Sequence, residues 1–92
     1  MPHHIELFVG NCPLCKRVEN MLILGKCLEC KLEIHDLSRD YQKLQEKIRQ
    51  YRIKAVPTVI IDGRVKIEGL PDFNFICSEE LYNELEKKYP LK

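Results

Sequence analysis

The stretch NCPLCKRVENMLILGKCLECKLEI, residues 11–34, decides the fold, because its cysteines fit two incompatible arrangements. Cys12/Cys15 and Cys27/Cys30 are both C-x-x-C pairs, with corresponding cysteines fifteen positions apart. Two such pairs suit a four-thiolate zinc site, whereas a single pair opening a helix after a strand suits redox chemistry. The residues between the pairs favour the second. Pro13 stands where a first helical residue belongs, and Leu14, Val18, Met21 and Leu22 recur at helical spacing until Gly25 offers a stop. A zinc tetrahedron needs four ligands within about 2.3 Å of one ion. A helix from Cys12 to Cys27, at about 1.5 Å per residue, runs about 22 Å. The helix and a shared zinc site therefore exclude each other.

Working outward, Ile5, Leu7 and Val9 alternate with Glu6 and Phe8 in a β-prone run that Gly10-Asn11 ends, which predicts a first strand just ahead of Cys12. Beyond the helix the parity becomes two, with Leu28, Cys30, Leu32 and Ile34 alternating with polar residues, so a second strand is expected from Leu28. Ser38 and Asp40 are candidate caps for a second helix that turns Tyr41, Leu44, Ile48 and Tyr51 inward and stops near Arg52. Residues 56–69, VPTVIIDGRVKIEG, read as a hairpin: a strand from Thr58 to Ile61, an Asp62-Gly63 turn, and a strand with Val65 and Ile67 inward, broken by Gly69 and Pro71. Ser78 is placed to cap a last helix, with Glu79 and Glu80 at its positive end, Lys87 and Lys88 at its negative end, Leu81 and Leu85 inward, and Pro90 closing it. The order β-α-β-α-β-β-α predicts an α/β three-layer sandwich. A parallel pair joined by a right-handed crossover and an antiparallel hairpin would make a mixed four-stranded sheet, with Cys12 at the carboxyl end of strand one.

A chain of 92 residues is expected to form one domain over residues 1–92, and 45% hydrophobic with 32% charged residues suits a soluble globule. The net charge of +1, from acids and bases spread along the chain, argues against nucleic acid or an anionic membrane as partner. Residues 1–13 lack the features of a signal peptide, and no apolar run approaches the roughly 20 residues that cross a bilayer. A cytoplasmic location is expected, where five cysteines are reactive or metal-binding rather than a structural disulfide framework.

The first pair has the better chemistry. The reactive form of cysteine is the thiolate, and an unperturbed thiol of pKa about 8.5 is only a few per cent ionised at neutral pH. A helix start presents unpaired N–H groups and about half a positive charge, and Lys16 and Arg17 add to the field, so Cys12 gains most. Cys15, one helical turn on, lies beside it but deeper. Attack by Cys12 and resolution by Cys15 follow from that placement. Capture of a soft metal, Hg(II), Cu(I) or Zn(II), for delivery to another protein is the alternative use of a thiolate pair, and inert thiols a third.

A strand, CPLC opening a helix, AVPTVIIDG at residues 55–63, a short strand ending at Gly69 and a final helix together resemble the thioredoxin superfamily in its compact glutaredoxin-like form, over roughly residues 5–88. C-x-x-C with V-P-T at this separation is the specific part of the likeness. The resemblance implies a thiol–disulfide oxidoreductase with Cys12 as nucleophile and Cys15 as resolving thiol. It further implies a cis Pro57 packed against the dithiol, Val56 backbone pairing with an incoming chain or glutathione, and a substrate rim of Pro13, Leu14, Val56, Pro57 and Gly69. The dipeptide Pro13-Leu14 lacks the aromatic residue of glutaredoxins, the chain has no Trp, and Gly69-Leu70-Pro71-Asp72 is all it offers in place of the glutathione-holding paired glycines. A monomer acting on protein disulfides is expected, served by an external electron donor. It needs no cofactor or metal beyond the dithiol itself, glutathione being possible.

The remaining sites are auxiliary. Cys27/Cys30 stands at the negative end of the first helix, which makes it the less reactive pair; Cys30 falls on the apolar parity of strand two, and Cys27 in the Gly25-Lys26 turn. An accessory redox pair, a metal site or no special role are its three readings. Cys77, just before Ser78, is expected on the active-site side of the resembled fold, as an auxiliary thiol or a bystander. His3 and His4 read as a solvated start, with metal binding the alternative, and His35 as a surface residue.

Overall fold

The structure is a computed structural model that describes residues 3–26 and 28–91. The chain runs β1 (His4–Val9), α1 (Pro13–Gly25), β2 (Lys31–Asp36), α2 (Leu37–Asp40), α3 (Gln45–Gln50), β3 (Thr58–Ile61), β4 (Val65–Glu68) and α4 (Glu79–Lys88). The strands form a mixed sheet of four in the order β2-β1-β3-β4. β1 pairs parallel with β2 through the α1 crossover and antiparallel with β3, and β3 pairs antiparallel with β4. The expected α/β sandwich with a mixed sheet is what the chain forms.

Alternation along β1 builds two cores. Ile5, Leu7 and Val9 pack with Cys15, Val18 and Leu22 of α1 and with Tyr82 and Leu85 of α4. Phe8, on the opposite face, packs with Tyr51, Ile53 and Ile60, against which Leu37 and Ile48 lie. Helices therefore cover both faces, and β1 is buried along Ile5–Val9 because it is a central strand. The β3–β4 turn places both Asp62 (φ 54°) and Gly63 (φ 67°) in the left-handed region, as a tight hairpin requires, and the Arg64 N–H donates to the Ile61 carbonyl at 3.0 Å. Ser78 caps α4 by accepting from the Leu81 N–H at 3.1 Å.

Several expectations are corrected. The second strand begins at Lys31, where pairing with His4 begins; Leu28 lies in a turn, fully exposed, and Cys30 is buried just ahead of the strand. Being an edge strand, β2 also leaves Ile34 at 41% exposure. The second helix is two pieces separated by the turn at residues 41–44, and its cap is Asp36, whose carboxylate accepts from the Ser38 N–H and hydroxyl at 2.9 and 2.6 Å. That interruption carries Tyr41 off the inner face to 55% exposure, while Leu44 and Tyr51 stay buried. His3 is not loose: its ring hydrogen-bonds Asp62 and stacks on Tyr82 with centroids 3.6 Å apart. His4 lies in β1 and pairs with Glu33 at 2.7 Å. His35 is largely covered, held to Glu6 at 3.0 Å, because Glu6 turns its carboxylate under the helical layer.

Candidate redox site

The β1 run ends at Val9, and the chain turns through Gly10 and Asn11 before Pro13 starts α1. Proline fits there because its fixed φ suits the first helical turn and the missing N–H has no partner to lose. Cys12 is thereby the N-cap, extended at φ −144° and ψ 149°, and its Sγ accepts from the Cys15 N–H at 3.1 Å. A sulfur at an N-cap takes the place usually held by a serine or aspartate oxygen, so it sits where a negative charge is best tolerated. No acidic residue stands in the first turn to cancel that field, and Lys16 and Arg17 are exposed within it.

Cys12 and Cys15 are joined by a disulfide, with Cα atoms 5.4 Å apart. The two sulfurs have different surroundings. Cys15 is 3% exposed, part of the core cluster, and its Sγ accepts from the Gly10 N–H at 3.3 Å. Cys12 is only partly covered, with Pro13 and Leu14 exposed beside it. An incoming sulfur can reach Cys12 and not Cys15.

The second loop of the site is brought in by close packing. A Cβ built on Gly10 would stand 3.1 Å from Val56 Cγ2, so the β1–α1 turn and Val56 lie close together and a side chain at position 10 would push Val56 back by a few tenths of an ångström. The Val56–Pro57 peptide is cis. The Gly69 N–H donates to the Pro57 carbonyl at 2.8 Å, and the Thr58 hydroxyl to the Ala55 carbonyl at 2.7 Å. Thus Val56 reaches the turn that carries Cys12, and Gly69 is tied to Pro57. A cavity of about 350 Å³ opens along this seam, lined among others by Gly10, Tyr41, Ile48, Ile53 and Val56. The sequence pattern places Tyr41 on a core-facing helical stripe and Gly10 in a turn, and neither pattern points to this cavity.

Cys30 and Cys77 lie at the opposite end of α1. The Cys77 N–H donates at 2.9 Å to the carbonyl of Gly25, the last residue of that helix. Cys77 is therefore about 20 Å, the length of α1 at about 1.5 Å per residue, from the N-terminal disulfide, and not beside it as expected. Its sulfur stands 3.6 Å from that of Cys30. Cys27 falls outside the described residues. Among the described residues no cluster of three or more His, Cys, Asp or Glu has the arrangement of a metal site.

On the other face, Glu6 is a buried charge with three partners: Lys47 Nζ at 2.7 Å, the Tyr51 hydroxyl at 3.0 Å and His35 Nε2 at 3.0 Å. Burial pushes its carboxyl up, but the hydrogen bonds from Lys47, His35 and Tyr51 together outweigh this and hold it below the ordinary carboxylate value. The same contact raises the Lys47 ammonium, against a smaller effect of burial. This cluster ties β1 to β2 and α3, and nothing in its polar contacts touches the disulfide.

A mixed sheet covered on both faces, with a C-x-x-C disulfide capping the helix after the central strand, defines a thioredoxin-like protein. The family model described as thioredoxin domain matches residues 3–78, and the chain belongs to that family. A search of curated proteins found no match to the chain. Among the described residues no helix is long and apolar enough to cross a membrane.

Proposed function

We propose that this protein is a thiol–disulfide oxidoreductase acting on protein disulfides, with Cys12 as nucleophile and Cys15 as resolving thiol. The observation that carries the reading is the asymmetry of the pair: Cys12 reachable at a helix N-cap, Cys15 buried behind it and one turn away. In the reduced form the Cys12 thiolate attacks one sulfur of the substrate, forming a mixed disulfide and releasing the first substrate thiolate. The Cys15 thiolate then attacks Cys12 Sγ, which releases the second substrate thiolate and leaves the Cys12–Cys15 disulfide seen here. An external dithiol donor returns both electrons. The seam of Gly10, Tyr41, Val56 and Pro57 is where an extended substrate segment lies, with Pro13, Leu14 and Gly69 along its rim. Its lining is mostly apolar, with Leu37, Tyr41, Ile48, Ile53 and Val56, which suits the side chains of a peptide, while Lys54 stands at the same cavity. The protein works as a monomer in a reducing, cytoplasmic compartment, with no cofactor beyond its dithiol.

Insulin-disulfide reduction driven by dithiothreitol tests this. Wild type accelerates insulin precipitation, Cys12→Ser abolishes the acceleration, and Cys27→Ser retains most of it. Equal loss from both variants would overturn the separation of the two pairs. A wild type that is inactive yet binds Hg(II) stoichiometrically would replace the enzyme with a soft-metal carrier.

A further inference from the structure

At the far end of α1 two thiols and a phenol meet that the Cys12/Cys15 chemistry does not use. Cys30 Sγ and Cys77 Sγ are 3.6 Å apart, across 47 residues of chain. The Tyr82 hydroxyl donates to Cys77 Sγ at 3.6 Å and stands 3.7 Å from Cys30 Sγ, so one phenol spans both sulfurs. Burial, with the hydrogen bonds to Cys77 and Cys30 adding to it, keeps that phenol protonated, so it remains a donor. The His3 ring stacks on its face and fixes its position. Cys30 is 4% exposed, whereas Cys77 lies partly open in the loop before α4 and lines a cavity of about 410 Å³ with His3, Leu28 and Tyr82. The same division, one reachable sulfur and one buried behind it, distinguishes Cys12 from Cys15.

We infer that Cys30 and Cys77 form a second redox-active pair, which closes to an internal disulfide by exchange with a small, uncharged disulfide entering this cavity. Glu29 and Glu79 also line the cavity, and their carboxylates disfavour anionic disulfides. Cys77, as thiolate, attacks one sulfur of the small disulfide, becomes the mixed disulfide and expels one thiolate, which takes up a proton. Cys30 gives up its proton as it attacks Cys77 Sγ and expels the second thiolate, which is protonated in turn. Two protein thiols are oxidised and one small disulfide is reduced to two thiols. The sulfurs need to close from 3.6 Å to about 2.05 Å, a shift of about 1.5 Å that a loop residue ahead of its helix can make. The bond would fasten the start of α4 to the approach of β2.

The inference is independent of the role given to Cys12, and its test removes that pair. A Cys12→Ser/Cys15→Ser/Cys27→Ser chain keeps only Cys30 and Cys77, and the probe is 2-hydroxyethyl disulfide. The expected result is loss of both thiols in a thiol assay, with a monomeric product lighter by two hydrogens and free of adduct. Its Tm should rise by on the order of 10 °C, reversed by dithiothreitol. Persistence of both thiols, a stable adduct on Cys77 or a linked dimer would overturn it. Should the triple variant not fold, peptide mapping of the oxidised wild-type chain decides. A Cys30–Cys77 cross-link supports the pair, and a Cys27–Cys30 cross-link or no cross-link at Cys77 refutes it.

Discussion

Replacing Gly25 by alanine separates local propensity from tertiary packing. Gly25 is the last residue of α1 and its φ is not positive, so its backbone makes no demand for glycine. On helix propensity alone, Gly25→Ala should stabilise by up to about 1 kcal/mol. The surroundings reverse the sign. A Cβ at this position would overlap the carbonyl oxygen of Phe75 and stand 2.8 Å from its carbonyl carbon and 2.9 Å from its Cδ1. Carbon–carbon contacts are comfortable from about 3.5 Å, so the carbonyl carbon must retreat by at least about 0.7 Å and the oxygen by more. The obstacle is backbone, which cannot swing aside as a side-chain tip does.

Separating the loop from the helix breaks the Cys77 N–H bond to the Gly25 carbonyl, a loss of about 1 kcal/mol. It also lifts Phe75, now 4% exposed and edge-on to Tyr82, partly from the core, for about 2–3 kcal/mol if that burial is largely lost. Set against the propensity gain, the net loss is about 2–3 kcal/mol. At roughly 4–8 °C per kcal/mol for a domain of this size, Tm should fall by about 10–20 °C, read by thermal circular dichroism. The exposed neighbour Leu24, changed to alanine, controls for general sensitivity at the helix end. An unchanged or raised Tm for Gly25→Ala would refute the close approach of the loop at residues 73–77 to α1, and with it the placement of Cys77.

Two further outcomes follow from charge and capping. Glu6→Gln should destabilise at neutral pH by about 2 kcal/mol, because a buried carboxylate holding Lys47, His35 and Tyr51 becomes a neutral amide. The Glu6 carboxyl lies below its ordinary 4.5 when folded, so its contribution is present above that value and disappears as pH falls through the lower folded one. Urea melts should therefore show the gap between wild type and Glu6→Gln narrowing from pH 7 to pH 3, and a gap independent of pH would contradict the ion cluster. Ser78→Ala removes the side-chain acceptor that caps α4 and should lower stability by about 1 kcal/mol, seen as a Tm drop of roughly 4–8 °C.

The parts of the fold that were legible are those set by local chemistry. Pro13 starts α1, Asp62-Gly63 makes the hairpin, and Ser78 caps α4, each through interactions reaching no more than a few residues. Errors arose where a distant partner overrides the local pattern. Alternation from Leu28 looked like a strand, yet pairing starts only at Lys31 because β1 meets it there. Tyr41 fits a helical stripe, and the break at residues 41–44 turns it outward to line the cavity beside Val56. Glu6 and His35 read as polar positions on two separate strands. They become a buried pair because β1 and β2 are parallel neighbours in a register that opposes Phe8 to His35 and Glu6 to Glu33.

The cysteines show the same division most sharply. C-x-x-C is readable when one helical turn sets both sulfurs, which is why Cys12 and Cys15 could be assigned a geometry from spacing alone. Applied to Cys27/Cys30 the same spacing carries no such warrant, since Cys30 follows a turn rather than opening a helix. What Cys30 meets is decided by the loop after β4, which returns across the end of α1 at the one residue without a side chain and sets Cys77 against it. Gly25, read only as a helix stop, is thus also the space through which residues 47 apart become neighbours. Two sulfurs brought together that way leave no spacing motif in the sequence. Gly25→Ala should suppress the Cys30–Cys77 cross-link while leaving the Cys12–Cys15 disulfide able to form, as read by peptide mapping after oxidation.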